Sequence, residues 1–436
     1  MRRRFDSAGG RGYTGLVPRL TQIFVVVSLA AACSNPRAQL TGLGTSTTGG
    51  TGGGRFICHL GDGGLFGSPL HIVTGIGPYS LDNGQPRPLA VGDLNGDGNL
   101  DIAEGDFLSG DMGILPGNGD GSFRPAVHAN PGLYLYDLLV VSAGSPARPL
   151  LVMSGNPTDF AGQAKNPNIG EVDDAGALIL VPQPLGVAFG SDSSLATDLN
   201  GDGLPDLVMQ GSGVAQGNGF QVMLGTPSGG WAPGGFVANW WTPQEDYIGD
   251  FNEDGIPDII VEVGHGTQTL VVHAGMGDGT FSDAGISTTF PPMQIGHWSS
   301  GDLNEDGHLD LLVGPGWFPP YVLFGRGDGT FMIGPSVDIA WLNTFAAWPH
   351  ALYDLNGDGH LDYLGTGIGG TIHVALGKGD GTFAPEMVIQ VSAPEDGGGP
   401  FIGVVVGDVN NDGRPDLIAN NYSDGNVAIF LNQCGE

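Results

Sequence analysis

The sequence predicts an all-β fold in which seven four-stranded antiparallel sheets form a ring. Three observations carry that prediction. An acidic motif returns about every 52 residues, apolar runs of strand length lie between its copies, and no segment sustains helical periodicity. A fixed period near 50 residues marks a propeller or solenoid. Four short strands per unit make one blade, so the expected architecture is a seven-bladed β-propeller. Composition agrees. Of 436 residues 80 are Gly and 31 Pro, a density of turn formers near that of disordered chains. Yet 40% of the residues are hydrophobic, which an acidic disordered chain does not carry.

The acidic motif reads D-x-N-x-D-G-x-x-D. It begins at Asp93, Asp198, Asp250, Asp302, Asp354 and Asp408, with spacings of 52, 52, 52 and 54 from the second copy onward. The first gap, 105, spans two periods, so one unit lacks its acids. The stretch "SAGSPARPLLV" (142–152) aligns there, with Ser142, Pro146 and Leu150 where acids stand elsewhere. The blade around residues 135–190 is therefore degenerate and has no metal loop. A second motif, G-x-G-D-G-[ST]-F, follows at 117–123, 275–281, 325–331 and 377–383, with a worn copy, "GTPSGGW", at 225–231. Runs such as "LDLLV" (309–313), "YVLFG" (321–325), "PDLIA" (415–419) and "NVAIFLN" (426–432) are strands bounded by Gly. Residues 60–73 look like the end of a unit without its beginning, and 404–432 like a beginning without its last strand. A strand from the N-terminal side is expected to complete the last blade, closing the ring and removing free sheet edges. That arrangement brings Cys58 near Cys434 in an oxidising compartment. A disulfide is expected, with two unpaired thiols as the alternative.

Each acidic copy offers oxygen donors at positions 1, 3, 5 and 9, and the carbonyl of position 7 completes the set. The candidate ligands are Asp93, Asn95, Asp97, Asn99 and Asp101; Asp198, Asn200, Asp202, Leu204 and Asp206; Asp250, Asn252, Asp254, Ile256 and Asp258; Asp302, Asn304, Asp306, His308 and Asp310; Asp354, Asn356, Asp358, His360 and Asp362; and Asp408, Asn410, Asp412, Arg414 and Asp416. Two carboxylates about 4 Å apart repel by roughly 4 kcal/mol at an effective dielectric of 20, unless a cation sits among them. Hard oxygen donors in this number suit Ca²⁺, and about six structural ions are expected; Mg²⁺ prefers a tighter octahedral site that keeps its waters. Gly at position 6 permits the sharp turn. An EF-hand would require a bidentate Glu at position 12 and flanking helices. Position 12 here is Glu104, Met209, Val261, Val313, Gly365 and Ala419.

The repeating unit resembles the FG-GAP/VCBS repeat, the calcium-loop blade of integrin α-chain propellers and of many bacterial secreted proteins, over about residues 55–436. The resemblance implies a calcium-stabilised surface binding or adhesion module for a glycan or protein ligand. The alternative is a secreted polysaccharide-degrading hydrolase or lyase built on the propeller face. No H-E-x-x-H, G-x-S-x-G or phosphate-cradling Gly loop stands in the sequence, and no catalytic residue is assigned. Trp240 and Trp241, His297 and Trp298, and Trp348 and His350 precede three acidic runs. Trp241, His297, Trp298, Trp348 and His350 are candidates for a ligand face, with core packing between blades as the competing reading. His308 and His360 are expected to turn their side chains to solvent. The "RGD" at 326–328 lies inside the second motif, where sister units carry Met276 or Lys378 in place of Arg326, so the repeat accounts for it.

Residues 1–32 read as an export signal: a basic stretch, then the apolar "IFVVVSLAAA" (23–32), too short to span a bilayer as a helix. "LAAAC" resembles a bacterial lipoprotein cleavage site, with Cys33 lipidated. Leu29 stands four positions before Cys33, where that pattern has Leu three before, and ordinary cleavage after an Ala-x-Ala site is the alternative. Residues 33–54 form a Gly/Thr/Ser-rich tether, and 55–436 the propeller. A secreted or cell-envelope protein is expected, an outer-membrane lipoprotein if Cys33 carries lipid. The formal charge is −32; without the first 20 residues, 9 basic and 45 acidic residues leave −36. Such a surface excludes nucleic acid and, apart from a lipid anchor, an anionic membrane as partners. A monomer is expected.

Overall fold

Short apolar runs punctuated by Gly-rich turns fold as expected. A computed structural model of the chain describes residues 65–76, 88–106, 109–157, 168–181, 189–213, 217–238, 248–263, 269–291, 297–314, 320–337, 348–367, 370–391, 403–421 and 425–434. The expected signal segment and tether, Cys33, Cys58, Trp240 and Trp241 lie outside the described residues. The described residues form 28 strands in seven four-stranded antiparallel sheets, arranged around an axis as a β-propeller.

Blade one comprises Leu89–Gly92, Asp101–Gly105, Met112–Leu115 and Val127–Ala129. Blade two comprises Leu133–Ala143, Arg148–Pro157, Asn168–Val172 and Leu178–Val181; blade three Phe189–Thr197, Asp206–Gly213, Gly217–Gly225 and Trp231–Ala238. Blade four comprises Ile248–Gly249, Asp258–Glu262, Thr269–His273 and Ile286–Thr289; blade five His297–Gly301, Asp310–Gly314, Tyr321–Gly325 and Phe331–Ser336. Blade six comprises Trp348–Tyr353, Asp362–Gly367, Thr371–Ala375 and Met387–Gln390. Blade seven joins Val404–Gly407, Asp416–Asn421 and Asn426–Phe430 to an outer strand from the other end of the chain, Leu70–Val73.

Burial falls from the axis outward. Leu89–Gly92 and Asp101–Gly105 are buried at every residue, whereas Ile286–Thr289 alternates between half-buried and exposed. The inner strands have a sheet packed on both faces, so they read as continuous apolar runs; the outermost strand has water on one face. The core is a set of seams between blades. One seam joins Leu89, Ile102 and Leu115 of blade one to Val405, Ile418, Val427 and Ile429 of blade seven.

The strand Leu70–Val73 pairs antiparallel with Asn426–Phe430, with Leu70 opposite Ile429 and Val73 opposite Asn426. Phe66 bridges to Asn432, and Gly67 N–H donates to the Leu431 carbonyl at 3.0 Å. Cys434 is buried and disulfide-bonded. Truncating the chain to begin at residue 75 leaves Asn426–Phe430 as an open edge. Four residue pairs are lost from the ladder; at roughly 1 kcal/mol per hydrogen bond the loss is about 4 kcal/mol or more, and an unpaired edge predicts self-association. Thermal unfolding with light scattering checks this; a truncated chain that melts as the parent does and stays monomeric refutes it.

Candidate functional site

In blades one, three, four, five, six and seven the acidic motif is the turn between the first and second strands. All six turns therefore sit at the end of the propeller where the first strands finish. Their local wiring is the same. The position-6 N–H donates to Oδ2 of the position-1 Asp at 2.8–3.0 Å, as Gly307 does to Asp302. The position-7 N–H donates to Oδ1 of the position-5 Asp at 2.8–3.0 Å. The turn needs two left-handed residues, not one. Position 6 is Gly with φ of 81–96° throughout. Position 4 also has positive φ: 78°, 72° and 76° at Gly96, Gly201 and Gly357, but 60°, 59° and 57° at Glu253, Glu305 and Asn411. A non-Gly residue there costs about 1 kcal/mol or more.

The position-9 Asp has a role that the ligand pattern did not disclose. Asp101, Asp206, Asp258, Asp310, Asp362 and Asp416 are fully buried. Each accepts on Oδ2 from the position-2 N–H of its own loop at 2.8–3.0 Å. On Oδ1 it accepts from the first residue of the second motif, Gly117, Gly225, Gly275, Gly325 or Gly377, at 2.6–2.9 Å. In blade seven, which lacks the second motif, Asn432 N–H takes that place at 2.8 Å. Where both motifs occur they form one hydrogen-bonded unit. The first Gly is required sterically as well: a Cβ on Gly325 would stand 2.1 Å from the Leu309 carbonyl oxygen. The Asp of the second motif caps its own turn. Asp328 Oδ1, within the RGD tripeptide, accepts from Thr330 N at 3.0 Å and Thr330 Oγ1 at 2.5 Å. In blade two Leu150 replaces the buried Asp and packs in the core.

Electrostatics oppose the loops as they stand. Burial, then the neighbouring carboxylates at positions 5 and 1, pushes the position-9 acids up, Asp101 to about 6, Asp310 to about 7 and Asp362 to about 8. Burial also raises the position-1 acids Asp250, Asp302, Asp354 and Asp408. Among the described residues, only Arg414 brings a Lys or Arg within ion-pair reach of a loop carboxylate, Asp412 at 3.8 Å. In five loops the amide hydrogens of the Asn at position 3 turn to the position-5 carboxylate, at 2.9–3.1 Å. Among the described residues no three Asp, Glu, His or Cys side chains form a preassembled metal cage. The donor chemistry nevertheless fits a hard divalent cation: three carboxylates and an amide oxygen on one nine-residue turn, with almost no cationic side chain to balance them.

Replacing the position-9 Asp should therefore cost stability even without metal, because two N–H groups lose their acceptor. At pH 4, below the raised pKa, where no buried charge is relieved, Asp310→Ala in the presence of chelator is expected to lose about 3 kcal/mol, at 1–3 kcal/mol per orphaned group. Asp306→Ala, in a more exposed part of the same loop, should lose less than about 1 kcal/mol under the same conditions. Urea denaturation measures both; equal losses would refute a separate structural role for position 9.

Two side-chain expectations change. His308 and His360 do not simply face solvent. His308 Nδ1 pairs with Glu253 Oε1 of the preceding blade, and His360 Nδ1 with Glu305 Oε1. The Glu253 hydrogen bond raises the His308 pKa above the usual imidazole value. Trp298 is not presented to a ligand: it is fully buried among blades three to five, because both faces of that first strand are covered. His297, Trp348 and His350 lie on first strands. Trp241 lies outside the described residues.

Four positions beyond the position-9 residue, the second strands carry a row of buried polar side chains: Ser154, Gln210, Glu262, Thr366 and Asn420. They lie toward the end opposite the acidic loops, where the first strands begin. Asn420 Oδ1, for example, accepts from Gly403 N at 2.8 Å. A polar residue inside an apolar strand was the available signal. Among the described residues, one chain of contacts has the order of a hydroxyl–imidazole–carboxylate relay: Thr371 Oγ1 to His373 Nε2 at 2.9 Å and His373 Nδ1 to Glu386 Oε2 at 3.0 Å. His373 is only 5% exposed, so the imidazole is sealed from any substrate.

Three stretches of the chain, 198–261, 250–313 and 354–419, match the family described as FG-GAP-like repeat. No curated protein matches the chain. Among solved structures, the BP39L lectin from Burkholderia pseudomallei is similar with a TM-score of 0.54 at 14% identity, over 80% of this chain and 97% of that one. BBS1N, in a crystal of its complex with ARL6DN soaked with lead, is similar with a TM-score of 0.52 at 11% identity, over 85% of this chain and 98% of that one. At such identities the likeness concerns the fold alone.

Proposed function

We propose that this chain, a seven-bladed propeller carrying FG-GAP-like repeats, is an extracellular binding module whose six acidic loops each hold a structural Ca²⁺. The observation that carries the metal reading is the repeated donor set: six turns with one wiring, each with a fully buried position-9 carboxylate and five of them with no Lys or Arg in ion-pair reach among the described residues. A bound cation would supply the missing positive charge, and its binding free energy would add to folding free energy. The ligand is a glycan or a protein, taken at the end of the propeller opposite the loops, so that metal and ligand occupy separate ends. The propeller fold itself supports this, since similar propellers include a lectin and a protein-complexed domain. In this reading residues 1–32 serve as an export signal, Cys33 carries lipid, and the module stands outside the cell or on its envelope. Glycan and peptide arrays probed with the calcium-loaded and the chelated protein test it. Binding that is lost on chelation and leaves the ligand intact supports the module; cleavage of the ligand overturns it in favour of an enzyme.

A further inference from the structure

The two motifs also meet across the seams between blades. A Gly in the second motif donates its N–H to the position-2 carbonyl of the preceding blade's acidic loop: Gly329 to Phe251 at 2.9 Å, Gly381 to Leu303 at 2.8 Å and Gly121 to Val409 at 3.1 Å. Blade seven has no second motif, yet Asn432 Nδ2 donates to Leu355 O at 2.8 Å and closes the same contact. Because each second motif also binds the buried Asp of its own loop, the bonds form a chain. Asp258 holds Phe251 N–H, whose carbonyl takes Gly329; the same turn, through Gly325, holds Asp310. Asp310 holds Leu303, and the path continues through Asp362, Asn432 and Asp416 to Asp101. Five loops, in blades four, five, six, seven and one, are thus strung on one belt. A second rung runs from position 4 of one loop to position 7 of the next. Glu253 meets His308, Glu305 meets His360, and Asn411 Nδ2 reaches Asn99 Oδ1 at 3.3 Å. A Cβ on Gly327 would lie 2.6 Å from the Glu253 carboxylate, so a side chain there would displace the rung.

Positions 2 and 4 lie between ligand positions 1, 3 and 5, and position 7 supplies a ligand carbonyl. We infer that the belt couples the cation sites, so that filling one acidic loop of blades four, five, six, seven and one raises the affinity of the loop next to it. The inference rests on the calcium reading above. Blade two, with no acidic loop, interrupts the ring of sites. A loop ordered by a cation fixes the carbonyl and the rung that its neighbour's second motif docks on. The neighbour then has less disorder to lose when it binds.

Calcium titration of the full chain by calorimetry tests this. The native protein is expected to bind with a Hill coefficient of about 1.5 or more, equivalent to roughly fivefold coupling between neighbours. Asn432→Asp, which removes the donor to Leu355, and Glu253→Ala, which removes a rung at a position outside the ligand set, should each lower that coefficient while the number of sites is unchanged. Asp302→Asn should weaken calcium binding at the remaining belt sites, whereas Asp198→Asn, in blade three, should not. If Asn432→Asp fails to fold, Glu253→Ala carries the comparison. Six ions bound with a coefficient of 1 in the native protein, or a coefficient unmoved by Glu253→Ala, overturn the coupling and leave the calcium reading standing. No uptake of calcium overturns both.

Discussion

Chelating divalent cations at neutral pH is expected to lower the melting temperature by on the order of 10 °C. A site at ten times its dissociation constant adds about 1.4 kcal/mol to the folded state, so six sites add about 8 kcal/mol. That is comparable with the whole stability of a typical domain. For a chain of this size, unfolding entropy near 2 cal/mol/K per residue converts about 8 kcal/mol to roughly 10 °C. The effect should concentrate at the loop end of the propeller, where carboxylates without cationic partners repel once the ion is gone. Calcium added back should restore the transition, whereas Mg²⁺ at the same concentration should restore less, because it is reluctant to give up its waters. Scanning calorimetry of the protein in EDTA and in calcium decides the matter. A melting temperature that is the same in both would leave the six loops as purely hydrogen-bonded turns.

The architecture was legible because it is written in period. Strand lengths, Gly boundaries and a 52-residue spacing define a blade, and a ring of equal blades is what such units build. The unit missing its acids could be located by alignment, and Leu150 does take the core place of the buried Asp. The seam contacts were harder to see. Glu253 and His308 are 55 residues apart and belong to different copies of the repeat. Within one copy, each looks like a variable, solvent-facing position; only the offset between copies pairs them. Trp298 was opaque for another reason. A first strand covered on both faces has no alternation to mark which aromatic points inward. Position 4 did leave a trace: Gly, Asn and Glu there tolerate or endure a left-handed backbone that β-branched residues do not.

The second large effect is expected from pH, at a carboxylate far from the loops. Asp137, on the first strand of blade two, is fully buried at the seam with blade three. Its Oδ2 accepts from Ser194 N at 2.9 Å, and its Oδ1 has no hydrogen-bond partner among the described residues. Ser154 Oγ and Ser194 Oγ lie 2.9 Å apart beside it. Burial dominates, and raises the Asp137 pKa from 3.8 to about 7 against the lesser, opposite effect of backbone N–H groups. The folded state therefore holds this proton more tightly than the unfolded chain does. Its stabilising contribution is complete below pH 4 and is lost as pH rises toward 7, beyond which the dependence is flat. A shift of about three units corresponds to about 4 kcal/mol across that window. Asp137→Asn keeps the acceptor for Ser194 N and removes the titration, at a cost of about 1–2 kcal/mol for an amide N–H without a partner. The two stability curves should cross near pH 5: the variant less stable than the parent at pH 4 and below, and about 2 kcal/mol more stable at pH 8. Denaturant titrations of both proteins in the same excess of calcium cancel the loop carboxylates, which the two share, and isolate this group. Parallel curves for parent and variant would mean that Asp137 keeps its charge in the folded protein and that the seam pays no penalty for it.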